Sequence, residues 1–560
     1  MEDKKKKLKI MPIIMVLAIC VFIVFTISRI FNKSNKYENL RVIINYTDVT
    51  SHLDSGILKD DNNVFYIGKK DISKFYDEFI YYDEKYNQII STSNDRIMVI
   101  DLELNEKMVN DEKTHLSNNV IKNEDDLYIP LLDLENIYNI KVNFIKETNT
   151  LVLDSLDKKL EEAKSKKNNT VKNGYTIFSK SAEKIKKGDT VYIVQLKEGE
   201  EKLIPKDWVK IRTQKGNLGY VKKNSLENVQ VVREENIKQN VFDGKISLVW
   251  DYFSEYSNAP NRSGTNIEGI NVVSPSFFFL EEHGKGELIE NVDTPGKNYV
   301  NWAHSNGYKV WPIFSNNSMM ETTSEIMNDY KLREKLIENI TDCVQRYNLD
   351  GVNINFENMY ENDKEMFSRF LIELAPRLKK LDKALTVDVT EPDGSPEWSL
   401  CFDRHTLGKI VDYMMFMAYD ETGAYSTKAG TVAGFNWVEK NINKFLNQEE
   451  VEKEKLILGI PFYTRLWKED GDELKSDVVT MLEMEDYIPE DVEKVWDDEL
   501  KQYYVQYERR GATYKMWIED ERSIKEKLSL IKKYDLQGAC FWAKDYETYS
   551  IWDIIKREIQ

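Results

Sequence analysis

The fold turns on residues Tyr347–Tyr360, which read Tyr-Asn-Leu-Asp-Gly-Val-Asn-Ile-Asn-Phe-Glu-Asn-Met-Tyr. Side chains of a β-strand alternate between its two faces. Val352, Ile354 and Phe356 therefore share one face, all apolar, while Asn353, Asn355 and Glu357 share the other, all polar. Such a strand packs one face under helices and turns the other to a polar interior. In a parallel β/α barrel the chemistry sits at the C-terminal ends of the strands. Glu357 is the last inward residue of this row.

Outward from this strand, apolar runs alternate with helix-like segments. Strands are expected at Ile246–Trp250, Ile270–Ser274 with Phe277–Leu280, Lys309–Phe314, Val352–Glu357, Leu385–Val389, Tyr413–Tyr419, Leu456–Phe462 and Ala539–Trp542. Amphipathic helices are expected at Lys331–Tyr347, Glu361–Leu381 and Arg522–Tyr534. Eight strands of this kind within residues 241–560 predict a (β/α)8 TIM barrel. Lys468–Gly511 is longer than a usual connection and is expected to be an insertion over the mouth, between strands seven and eight.

Asp350-Gly-Val-Asn-Ile-Asn-Phe-Glu357 resembles the signature of glycoside hydrolase family 18, the chitinases and endo-N-acetylglucosaminidases, which is Asp-Gly-x-Asp-x-Asp-x-Glu. Asn353 and Asn355 stand where that signature has its inner aspartates. Met415-Phe-Met-Ala-Tyr-Asp420 is similar to the family's sixth strand, and Gly459-Ile-Pro-Phe-Tyr463 to its seventh. Gly538-Ala-Cys-Phe-Trp542 is similar to its eighth, which ends in a Trp under the sugar. Trp517, Asp520, Ser523 and Lys527 form a Trp-x-x-Asp-x-x-Ser-x-x-x-Lys pattern that resembles bacterial wall- and spore-associated members.

The resemblance implies substrate-assisted retention, an exception to the two-carboxylate scheme. The sugar's own 2-acetamido oxygen attacks the anomeric carbon. Glu357 is then the general acid, which requires burial or an anionic neighbour to keep it protonated near neutral pH. Asn355 would accept the acetamide N–H without supplying a full negative charge. Tyr419 would donate to the acetamido oxygen, Asp420 would bind the sugar or acetamide, and Trp542 would stack under the ring. Asn353 is assigned to substrate binding too, although its deeper position favours packing and hydrogen bonding. Asp350 is read as support for the turn into the strand. Asp388 faces inward or outward by one residue of register and receives no role.

The N-terminal part divides differently. Ile10–Ser28 is an uncharged apolar run of about the length that crosses a bilayer, preceded by Lys4–Lys7 and Lys9. No good cleavage site follows, so residues 1–31 are expected to be a cytoplasmic tail and a single transmembrane signal anchor, with the remainder on the cell-wall side. Residues 38–155 show two copies of one α+β unit at an offset of 62. Phe65-Tyr-Ile67 matches Leu127-Tyr-Ile129, Asp71-Ile72 matches Asp133-Leu134, Tyr76 matches Tyr138, and Asn87 matches Asn149 in expected hairpin turns. Asp126-Leu-Tyr-Ile-Pro-Leu131 resembles the small N-terminal domain of copper amine oxidases, used by bacterial surface proteins as a stalk or binding module. No copper ligand set is present, and spacer and glycan- or partner-binding module both remain open. Residues 156–173, rich in Lys, Glu and Asn, are expected to be a solvated linker. Residues 174–230 carry short strands, with Trp208-Val-Lys-Ile-Arg212 followed by Gly216-Asn-Leu-Gly-Tyr-Val221. This pattern is similar to bacterial SH3 domains, small all-β barrels that often hold cell-wall peptides; Trp208 and Tyr220 either meet such a peptide or fill the barrel core.

The chain of 560 residues is 41% apolar and carries a net charge of −18, which excludes nucleic acid as a partner. Cys20, Cys343, Cys401 and Cys540 are scattered, and the five histidines form no cluster, so neither metal nor cofactor is expected. The sequence thus reads as a membrane-anchored extracytoplasmic hydrolase of N-acetylglucosamine-containing polysaccharide, cleaving β-1,4 bonds in peptidoglycan or a chitin-like glycan. The other readings are a catalytically impaired, lectin-like wall protein and a pure scaffold.

Overall fold

The computed structural model describes residues 39–123, 126–196, 199–235 and 242–559. The membrane span expected at Ile10–Ser28 lies outside these residues. Among the described residues no helix is long and apolar enough to cross a membrane. The chain forms two compact units. One extends as far as Gln239, apart from Asn94–Ile97, and the other holds those four residues and Asn240–Gln560.

In the second unit eight parallel strand positions close a ring. They are β1 (Ile246–Asp251), β2 (Val272–Pro275, continued by Phe278–Leu280), β3 (Lys309–Val310, continued by Ile313–Ser315), β4 (Gly351–Asn355), β5 (Ala384–Val389), β6 (Tyr413–Met417), β7 (Leu456–Pro461) and β8 (Gly538–Trp542). Each is hydrogen-bonded to the next, and β8 pairs with β1 to close the barrel. Closure needs a glycine at the β8–β1 seam, because a Cβ on Gly538 would lie 1.8 Å from the Ile246 carbonyl oxygen. The glycine of the β4 motif has a similar cause: a Cβ on Gly351 would lie 2.7 Å from the Ala384 carbonyl oxygen on β5. Helices Thr294–Ser305, Tyr330–Arg346, Lys364–Lys380, Arg404–Ile410, Phe435–Asn447, Glu521–Tyr534 and Ile551–Ile559 cover the outside. The outward row of β4 is buried beneath them, and Phe356 stacks on Phe370 at 5.8 Å.

The insertion after β7 is larger than the sequence suggested. A five-stranded antiparallel sheet runs from Tyr463 to Ile518, with Tyr463–Asp470 between Glu473–Thr480 and Ala512–Ile518. It extends past both expected ends because Tyr463, read as the close of the seventh-strand motif, already begins the next strand. The Trp517–Lys527 pattern joins this sheet to the barrel. Asp520 caps helix Glu521–Tyr534 by accepting from the Ser523 amide at 2.9 Å, and the Ser523 hydroxyl accepts from the Asp520 amide at 2.9 Å. One turn further on, the Lys527 ammonium lies 2.9 and 3.0 Å from the two carboxylate oxygens of Glu519, with both side chains sealed from solvent.

In the first unit, strand Phe65–Gly68 pairs antiparallel with Leu127–Pro130, and Ile67 lies directly opposite Ile129. These two residues are equivalents at the 62-residue offset, so a local two-fold axis passes between them. Tyr76 and Tyr138, also equivalents, stack at 5.0 Å. The carboxylate of Asp71 accepts from the backbone of Asp54, Ser55 and Gly56, as that of Asp133 accepts from the amide and hydroxyl of Ser117. Asn87 and Asn149 both take left-handed backbone, at φ 51° and 47°, a conformation that asparagine tolerates in tight turns.

Next comes a seven-stranded antiparallel sheet around Ala163, Val171, Ile185, Val191, Ile211 and Val221. Two of its strands, Leu160–Ser165 and Asn169–Lys172, fall in the stretch expected to be a solvated linker. That expectation is corrected: the residues facing the core there are Ala163, Ser165 and Val171, of which only Val171 is strongly apolar, among so many lysines and glutamates. Trp208 is buried beneath the Lys222 ammonium, which lies 4.8 Å from its ring centroid. Tyr220 is half-buried and meets Tyr175 edge-on. Arg212 ties this sheet to the duplicated module through a two-toothed contact with Asp154, at 2.6 and 2.5 Å.

Candidate active site

The inward row of β4 begins at the bottom of the barrel. Asp350, just before it, accepts from the Val310 amide, His304 and Lys309 at 3.0, 2.8 and 3.0 Å. Burial pushes its carboxyl up, and these three donors together bring it below the usual range. Its work is to anchor the entry to β4, as the sequence suggested.

Asn353 comes next and is completely buried. Its carbonyl oxygen accepts from Trp250 Nε1 at 2.9 Å and Ser274 Oγ at 3.3 Å, and its amide nitrogen donates to Asp388 Oδ1 at 2.7 Å and Thr386 Oγ1 at 3.1 Å. An asparagine side chain offers two donors and two acceptor sites, and all four are taken. The expected role of Asn353 in binding substrate is therefore replaced by a role in the barrel floor.

Asn355, one step higher, donates from Nδ2 to Glu357 Oε1 at 3.1 Å and to Asp388 Oδ2 at 2.9 Å. Glu357 itself is gripped by its backbone. Its amide donates to Asn316 Oδ1 at 3.0 Å, and its carbonyl accepts from Asn316 Nδ2 at 2.9 Å. Burial raises the Glu357 carboxyl above its ordinary value and the charge of Asp420 adds to the rise, while the hydrogen bond from Asn355 opposes it. Burial and an anionic neighbour thus both act to raise it, as a general acid requires. Asp388, 1% exposed on β5, is pushed up to about 8 by burial, against the hydrogen bonds from Asn353 and Asn355 and helped by Glu357.

The ends of β6 and β8 complete the site. The hydroxyl of Tyr419 is buried and has no hydrogen-bond partner. A buried polar atom left unpaired is uncommon and costly, so this one is free for a ligand. The ring of Tyr419 meets Trp250 and Tyr463 edge-on at 6.5 and 6.1 Å. Asp420 takes left-handed backbone at φ 61° and accepts from the Tyr463 hydroxyl at 2.8 Å. Trp542 packs 5.8 Å from Trp250 and 5.6 Å from Tyr252, so three aromatic rings sit together at the barrel mouth.

The family model "Glycosyl hydrolases family 18" matches residues 249–547, more than half of the chain. The chain belongs to this family. The match covers all eight strand positions except the first residues of β1, and with it Glu357, Tyr419, Asp420 and Trp542. As a family 18 glycosyl hydrolase the protein is a hydrolase of the chitinase-like type. It is 24% identical over 300 residues to "Uncharacterized glycosylase YvbX" of Bacillus subtilis (strain 168), covering 51% of this chain and 84% of that one. It is 23% identical over 272 residues to the "Cortical fragment-lytic enzyme" of Bacillus cereus, covering 47% and 60% respectively. A crystal structure of chitinase from Chromobacterium violaceum ATCC 12472 shares the fold at TM-score 0.50 and 20% identity, over 56% of this chain and 99% of that chain.

Sequence reasoning missed Asn316, Trp250, Tyr463 and Asp388. Asp388 left a readable signal. Thr386, Asp388 and Thr390 alternate with Leu385, Val387 and Val389, the same polar-inward pattern that singled out β4.

Proposed function

We propose that the barrel cleaves β-1,4 bonds after N-acetylglucosamine by substrate-assisted retention. The observation that carries this reading is one constellation: a carboxylic acid whose pKa burial raises (Glu357), an amide fixed beside it (Asn355), and an unpaired buried hydroxyl (Tyr419). In that arrangement the 2-acetamido oxygen attacks the anomeric carbon while Glu357 protonates the leaving oxygen. The Asn355 carbonyl accepts the acetamide N–H, which gains positive character as the oxazolinium ring forms. Tyr419 donates to the acetamido oxygen before it attacks, and Trp542 carries the sugar face. Glu357, now ionised, takes the proton of the water that opens the ring. Bacterial wall glycan is the favoured substrate over chitin, in keeping with the name of the Bacillus cereus relative. The same proposal places residues 1–31 as a membrane anchor and residues 38–155 as a stalk of the copper amine oxidase N-terminal kind. The seven-stranded sheet is then an SH3-like module that holds wall peptide, and the enzyme lies on the cell-wall side.

Asn355 in place of a carboxylate also supports a second reading, a glycan-binding protein with weakened catalysis. The test is hydrolysis of N-acetylated peptidoglycan strands and chitin oligomers by the full chain, with products read by mass spectrometry beside Glu357→Gln. The enzyme reading requires new reducing N-acetylglucosamine ends, with a loss of at least about 100-fold in the variant. Equal binding by both proteins with no cleavage by either selects the second reading.

A further inference from the structure

We infer that Asp388 is a positioning residue for this site: from β5 it holds the Asn355 amide nitrogen, so that the amide presents its carbonyl oxygen to the ligand. The inference rests on the proposed glycosidase reading.

The argument starts from counting hydrogens. A primary amide has two N–H donors, and those of Asn355 go one to Glu357 Oε1 and one to Asp388 Oδ2. With its nitrogen turned to both carboxyl groups, the amide is held in one orientation. The end left for a ligand is the carbonyl oxygen, the only end able to accept an acetamide N–H. Asp388 is held in turn. Its other oxygen accepts from Asn353, which Trp250, Ser274 and Thr386 lock in place. A carboxyl group in a sealed barrel interior needs compensation, and here both of its oxygens are spent on the two asparagines of the inward row.

As the oxazolinium forms, positive charge grows on the acetamide N–H that faces Asn355. A hydrogen bond accepted from the amide nitrogen by Asp388 polarises the amide in the required direction, oxygen end negative. The groups bearing on Asp388 are Glu357 from β4, Tyr419 beyond β6 and Cys540 on β8, with Met415 of β6 as its strand partner. Asp420 and Tyr463 act on the same cluster through Glu357. The charge of Glu357 adds to the rise of Asp388 that burial causes.

The test compares the full chain with Asp388→Ala, Asn355→Asp and the double variant Asn355→Asp/Asp388→Ala. The tetramer of N-acetylglucosamine is the probe, with kcat and KM followed from pH 4 to 9. Asp388→Ala is expected to lower kcat about 100-fold, the effect of misaiming the one amide that faces developing charge, with a much smaller change in KM and a simpler pH profile. Asn355→Asp alone sets a third carboxyl group between those of Glu357 and Asp388, which forces proton sharing and displaces the pH optimum. The double variant puts at residue 355 a carboxylate, whose two oxygens need no partner to face the acetamide, and is expected to recover kcat to within about 10-fold of the parent. A group that only supports the fold would lower thermal stability in Asp388→Ala, and activity would not return in the double variant. Two results overturn the inference: Asp388→Ala with the parent's kcat and pH profile, or a double variant no better than Asp388→Ala. A parent that cleaves nothing refutes the glycosidase reading instead. Calorimetric affinity for the tetramer then decides the role of Asp388. Binding weakened about 10-fold in Asp388→Ala and restored in the double variant upholds positioning, and unchanged binding overturns it.

Discussion

Replacing Lys527 by Met isolates what the Trp517–Lys527 pattern contributes. The ammonium and the Glu519 carboxylate are 1% and 0% exposed and lie 2.9 Å apart. Gln502 and the Ser523 hydroxyl (2.8 Å) also donate to Glu519. Methionine keeps the length of the side chain, so packing changes little and the main loss is the charge. Stranding one member of a buried pair costs about 3–5 kcal/mol. At about 2–4 °C per kcal/mol for domains of 150–250 residues, this is a fall of about 6–20 °C, and the larger barrel unit belongs toward the lower end. The sign of the pH dependence follows from the carboxyl. Burial pushes Glu519 up and Lys527 pulls it down, so Lys527→Met raises its folded value further. An acid raised in the folded state gives stability that is present below its unfolded pKa and lost as pH rises through the folded one. The melting temperature, followed by circular dichroism, should therefore drop much more at pH 8 than at pH 5, where Glu519 protonates at smaller cost. A drop below about 1 kcal/mol at pH 8, or an equal drop at both pH values, refutes the reasoning.

Two further expectations concern the site. Tyr419→Phe removes a buried hydroxyl with no protein partner, so it should leave thermal stability unchanged or raise it by about 1 kcal/mol while lowering kcat about 100-fold; a variant that is both active and less stable contradicts the assignment. Asn316→Ala strips both backbone hydrogen bonds from Glu357 and should cost about 2 kcal/mol in denaturant unfolding, with kcat falling more than KM rises in steady-state assays.

The barrel was legible because its strands carry their own evidence. On β4 and β5 the polar and apolar residues alternate, and the motifs at the ends of β6, β7 and β8 come in order. The helices Tyr330–Arg346 and Glu521–Tyr534 fell within a residue of their expected starts. Within the site, Glu357, Asn355, Tyr419, Asp420 and Trp542 were singled out together by those motifs. The partners that orient them were not. Asn316 holds Glu357 from 41 residues away, and Asp388 holds Asn355 from 33; each contact depends on which neighbouring strand a residue faces, and only the closed ring settles that. In the first unit the miss was of another kind. Ala163 and Ser165 face a small core, where low hydropathy is no sign of exposure.

The Ile67–Ile129 pairing gives the N-terminal module the geometry of two identical chains joined end to end. Each repeat offers the same strand edge and the same tyrosine face, and each covers the other's. Because both halves lie on one chain, their meeting does not depend on protein concentration. The symmetry is local: one equivalent segment is the helix Lys69–Phe75 while the other is the single turn Leu131–Leu134.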